Sequence, residues 1–110
     1  MTPIDVDRNA LVRLLFEASE EGLATMEEAL VTLEADPDQS EALRALCRAA
    51  HTLKGNAASL GFTEIAEMTH ELENVLDCLR SGSLAVSRPV TDLLLESVDA
   101  LRAMLSETLA

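Results

Sequence analysis

Aromatic side chains are almost missing from this chain: among 110 residues there are two Phe, no Trp and no Tyr. A core without them is filled by Leu, Val, Ala and Met, and that composition favours helices packed on helices. Cations are scarce as well, 8 Lys and Arg against 20 Asp and Glu, for a formal charge of −12. A phosphate backbone is repelled over most of such a surface, which argues against nucleic acid as a partner. Long apolar runs are absent too. Stretches such as Leu93-Leu94-Leu95 fall far short of the ~20 residues that span a bilayer, and Asp5 and Asp7 stand where a signal sequence needs a basic and then apolar start. The expectation is a cytoplasmic protein with no membrane partner. Cysteine is limited to Cys47 and Cys78, 31 residues apart and without a C-x-x-C or a histidine pair at zinc-finger spacing. Both are expected to be reduced thiols packed as small, semi-buried hydrophobes. Cys47 sits one turn before His51, so its oxidation would be expected to disturb whatever His51 does.

What the chain does have is helical periodicity. The length suits one domain, residues 1–110, and the pattern breaks into four segments with short joints and no internal repeat. The first is expected over about residues 8–35, where Leu11, Leu15, Ala18, Gly22, Met26, Ala29 and Leu33 form a stripe at spacings of three and four. Its Glu17, Glu20, Glu21, Glu27, Glu28 and Glu34 read as a solvated face. Pro37 stops it. The second helix is expected over about 39–60, opened by Asp38 and Glu41 as a capping pair and closed by Gly61. The third covers about 63–81 and is closed by Gly82; the fourth covers about 88–109, with Ser87 as N-cap and Pro89 in the first turn. Joints this short predict antiparallel neighbours, hence an all-α, up-and-down four-helix bundle.

Within the second helix one histidine stands out. At about 100° per residue, Leu46, Leu53 and Leu60 gather on one side with Leu43, Ala50 and Ala57, and His51 lies about 160° from Leu53, facing solvent. Arg44 and Ala58 lie within about 20° of His51 on the wheel, and Arg48 and Lys54 flank it at about 60°. Three of eight basic residues thus surround one imidazole in an acidic protein. Gly55, Ala58 and Ser59 leave the surface beside it low enough for another protein to approach, and access is a reason for a helical glycine that costs roughly 0.5–1 kcal/mol relative to alanine. A neutral imidazole, with its ordinary pKa of about 6.5, can attack phosphorus. The phosphoryl group it would acquire carries about two negative charges, which a cation such as Lys54 offsets. A carboxylate on the other ring nitrogen would hold the tautomer. In the third helix the wheel turns Met68, Leu72, Val75 and Leu79 inward and His70 outward, with Glu73 about 60° from it.

The string His51-Thr52-Leu53-Lys54-Gly55, with Ala57 and Leu60-Gly61-Phe62 after it, resembles the histidine phosphotransfer (HPt) family. His70-Glu71-Leu72-Glu73-Asn74 resembles the following helix of one branch, the N-terminal phosphotransfer domain of chemotaxis (CheA-type) histidine kinases. The resemblance runs from about Leu11 to Leu105. It implies that His51 is phosphorylated, that Glu73 bonds and orients it, and that Lys54 and His70 belong to the same polar network. It further implies phosphate supplied by a histidine kinase catalytic domain, delivery to an aspartate of a response-regulator receiver, and a monomeric domain. A free-standing relay protein is the alternative within that class. Outside it stand a non-phosphorylated adaptor bundle and a zinc site of His51, His70 and Glu73, which Lys54 and Arg48 oppose by charge. No Gly-rich nucleotide loop or P-loop is present, so neither ATP binding nor any other cofactor is expected.

Overall fold

The computed structural model describes the backbone of residues 3–109 and the side chains of 8–108; the expected domain limits, Met1 and Ala110, lie outside that range. Four helices follow in order: α1 Pro3–Ala35, α2 Ser40–Leu60, α3 Thr63–Ser81 and α4 Arg88–Leu109. Each packs on its two neighbours in a ring, α1 on α2 and α4, α3 on α2 and α4. The run of cross-links, Glu34 to Thr91 and then Glu27 to Arg102, shows α1 and α4 antiparallel. This is the up-and-down bundle that periodicity predicts.

Its core is a ladder of aliphatic side chains at heptad-like spacing. Leu23, Met26, Leu30 and Leu33 come from α1, and Leu46, Ala50, Leu53 and Ala57 from α2. Ile65, Leu72, Leu76 and Leu79 come from α3, and Leu94, Val98, Leu101 and Leu105 from α4. No aromatic ring belongs to that fully buried set; Phe16 and Phe62 pack at its edge.

Five details depart from expectation. α1 begins at Pro3 rather than near residue 8, because the first turn accepts a proline and nothing after it breaks the helix before the apolar stripe starts. At 33 residues it extends about 50 Å, matching the 52 Å long axis of the molecule, while its partners are a dozen residues shorter. Its N-terminal turns therefore overshoot the bundle, leaving Leu11 54% and Leu14 62% exposed although Leu11 falls on the stripe. In α3 the inward face centres on Thr69 and Leu76, with Met68 and Val75 only half-buried. Thr69 enters the core because its hydroxyl donates to the Ile65 carbonyl at 2.6 Å, leaving nothing polar unmet.

The Asp38–Glu41 capping pair does not form. Gln39 is the N-cap and makes no side-chain cap bond, Asp38 N–H donates to Asp36 Oδ1 at 3.2 Å, and Glu41 turns to Arg44 and Arg48. The turn at Asp36-Pro37 satisfies its own backbone and removes Asp38 from the cap. Two of the expected solvated glutamates also have structural partners: Glu34 accepts from the buried Thr91 hydroxyl at 3.0 Å and Glu27 from Arg102 at 3.1 Å. At the other joints the glycines act as read. Gly61 and Gly82 end α2 and α3 at φ 77° and 83°, left-handed values that a side chain disfavours, and Phe62 N–H bonds the Ala57 carbonyl at 2.8 Å. This close turn sets α3 directly beside α2, and the candidate site residues lie along their seam.

Candidate functional site

Burying Leu46, Ala50, Leu53 and Ala57 turns the opposite face of α2 outward, and with it His51, whose side chain is 74% exposed. α3 runs antiparallel beside it. Since Leu72 and Leu76 point into the core, Glu73 between them is turned along the seam towards α2, only 19% exposed. Its Oε2 stands 3.5 Å from His51 Nδ1, the long limit of a hydrogen bond. Lys54 Nζ, one turn further along α2, stands 3.1 Å from the other oxygen, Oε1. That contact is an ion pair without hydrogen-bond geometry, and the buried Oε1 has no hydrogen-bond partner. One half-buried carboxylate thus faces both the exposed imidazole and an ammonium group.

Two hollows follow one another along the seam on either side of this cluster. One is lined by His51, Arg48, Thr52, Cys47, Asp77 and Arg80. The other is shallow and floored by small residues, Gly55, Ala58, Gly61 and Ala66, with Lys54 and His70 at its sides. His70 is exposed there and makes no hydrogen bond or ion pair with His51 or Glu73 among the described residues. Among those residues no group of three His, Cys, Asp or Glu is placed to hold a metal ion.

The remaining residues singled out in the sequence take different positions. Arg44 and Arg48 both reach Glu41, at 3.7 and 3.4 Å, on the exposed surface one to two turns before His51. Gly55 is open: a Cβ built there meets no atom within 4 Å, so nothing inside the domain requires a glycine. Ser59 is exposed near the far end of α2. Cys47 is half-buried in the wall of the first hollow. Burial pushes its thiol above the ordinary value, Arg80 partly opposes this, and Asp77 and Glu73 add to it. Asp77 and Arg80 did not stand out in the sequence, since their nearness to His51 depends on how α3 lies against α2.

The chain matches the Hpt domain pattern over residues 10–107. It belongs to the Hpt domain family. Among relatives of this Hpt domain, the chemotaxis protein CheA of Bacillus subtilis is 41% identical over 99 residues, which are 90% of this chain and 15% of that protein. The CheA phosphotransferase domain from Thermotoga maritima superposes with a TM-score of 0.83 at 29% identity, covering 90% of this chain and 94% of that one. The phosphorylated P1 domain of CheA3 in complex with CheY6 from R. sphaeroides superposes with a TM-score of 0.84 at 31% identity, covering 90% of this chain and 77% of that one. The Hpt domain thus resembles the P1 phosphotransfer domain of CheA and spans about a seventh of the full-length B. subtilis relative. No helix in its described part is long and apolar enough to cross a membrane.

Proposed function

We propose that His51 carries a phosphoryl group from the catalytic domain of a histidine kinase to an aspartate on a response-regulator receiver. The observation that supports this most directly is the exposed imidazole turned with Nδ1 to a half-buried carboxylate that also faces Lys54. With the proton on Nδ1 directed at Glu73, Nε2 keeps its lone pair and faces outward, which makes it the nucleophile. It attacks the γ-phosphorus of ATP, the N–P bond forms and ADP leaves. The ring gains positive charge as this happens, so the contact to Glu73 strengthens towards the transition state. In the second step a carboxylate oxygen of the receiver attacks phosphorus, the N–P bond breaks and the imidazole returns to its starting form.

Glu73 is in this reading the orienting residue and Lys54 a counter-charge for the phosphoryl group. The low groove at Gly55 and Ala58 gives the incoming protein room, and Arg44, Arg48 and Ser59 offer further contacts along the exposed face of α2. His70, across that groove from Lys54, supports the phosphoryl side only if the side chain turns towards it. That a P1 domain of similar fold is found phosphorylated and bound to a CheY protein favours a receiver as the recipient. Identity to CheA proteins favours a chemotaxis-type kinase as the parent, and a nucleotide-binding domain in the same polypeptide would separate that from a free-standing carrier. The test is labelling by a chemotaxis-type kinase core with ATP. Acid-labile phosphate on the wild type, none on His51→Gln, and loss of label to an added receiver are expected; label retained in His51→Gln would refute the assignment.

A further inference from the structure

Arg80, which lines one hollow together with Arg48 and His51, has no part in the mechanism above. We propose that Arg80 of α3, with Arg48 of α2, forms a second cationic arm that closes on the phosphoryl group of His51, complementing Lys54. This inference rests on the carrier reading. The phosphoryl group brings between one and a half and two negative charges, whereas Lys54 is already committed to Glu73 at 3.1 Å. One engaged ammonium leaves much of that charge unanswered. Arg80 lines the same hollow as His51 and as Cys47, which lies one turn before His51 on α2.

The present partners of the two arginines are weak ones. Arg80 pairs with Asp77 at 2.8 Å, one turn earlier on its own helix, with side chains 63% and 60% exposed; Arg48 pairs with Glu41 at 3.4 Å, also in the open. Exposed pairs contribute little. A guanidinium fork suits phosphate oxygens bidentately, so a dianion arriving on Nε2 outcompetes one solvated carboxylate. The charged groups around the phosphoryl are then Arg48 and Lys54 from α2 and Glu73, Asp77 and Arg80 from α3. Asp77 holds Arg80 back, which gives the two residues opposite effects.

The test phosphorylates the 110-residue chain with phosphoramidate, which needs no kinase docking, and follows both labelling rate and the phosphoryl titration by phosphorus NMR. Arg80→Ala is expected to slow labelling about two- to fivefold and to raise the pH at which the phosphoryl dianion takes up a proton. Asp77→Asn is expected to do the reverse on both counts, and Arg80→Lys to fall between Arg80→Ala and wild type. Were the Asp77–Arg80 pair merely a helix brace, the two removals would act in the same direction or leave the titration unmoved, and either result overturns the proposal. A wild type that labels normally while Arg80→Ala matches it overturns this inference alone. A wild type labelled by neither phosphoramidate nor kinase overturns the carrier reading and this one with it.

Discussion

At the scale of single residues the account depends on a division of labour between two side chains. In the proposed mechanism His51 supplies the nucleophile and Glu73 its direction, so their removal should differ in kind. Substituting His51 by Gln should abolish labelling outright. Glu73→Ala should leave label acid-labile and on His51 but form it on the order of 10- to 100-fold more slowly, the range typical of lost orienting partners; an unchanged rate in kinase labelling would remove Glu73 from the mechanism. Cys47 and Cys78 should also separate. Burial raises the Cys47 thiol and so lowers its thiolate fraction near pH 8, whereas Cys78 is exposed. Iodoacetamide followed by mass spectrometry should therefore modify Cys78 first. Modification of Cys47 at an equal or greater rate would contradict its placement in the wall beside His51.

Among elements, α2 holds most of the candidate site residues, and the proposed docking there sets stability against access. Gly55 weakens a helix for no reason internal to the domain, since a Cβ there touches nothing. Gly55→Ala should stabilise the fold by about 0.5–1 kcal/mol, visible as a raised melting temperature, while slowing transfer between His51 and its protein partners. A stabilised variant with undiminished transfer would free Gly55 from any docking role. The same helix was the most legible element in the sequence. Its buried positions and its exposed histidine follow from a 100° wheel, because one helix obeys one periodicity, and its closing Gly61 follows from the left-handed cap that glycine allows. α3 was harder to read: Thr69 looks polar on a wheel but satisfies its hydroxyl within its own turn, which shifts the inward face towards Leu76. The start of α2 falls where expected, but its capping pair does not form, because Asp38 has a competing use in the turn at Asp36 and Glu41 has arginines to meet.

For the whole molecule, stability rests on four aliphatic ladders that meet in one core. Leu53→Ala, at a site 2% exposed, should cost about 2–5 kcal/mol, read from chemical denaturation, and it does so on the helix face opposite His51. If that variant folds, the labelling rate of its folded fraction should stay near wild type, because the seam with α3 carries the site. The bundle itself was legible from composition and spacing. The length of α1 was not, since an overhang has no partner to impose a pattern: Leu11 continues the stripe beyond the point where the other helices end. Nor was the hollow that Arg80 and His51 line together, a relation between two helices that no single-helix wheel contains. His51, Lys54 and Gly55 share one turn and announce themselves together; Glu73 was found by family resemblance and then placed by the fold at 3.5 Å.

The central claim is that one exposed imidazole on α2 carries the phosphoryl group. Incubating the chain with a chemotaxis-type kinase core and labelled ATP, then adding a receiver, tests it most directly. Acid-labile label is expected on the wild type, passing to the receiver, with none on His51→Gln. Label that survives in His51→Gln, or a folded wild type that accepts none from active kinase cores, would contradict it.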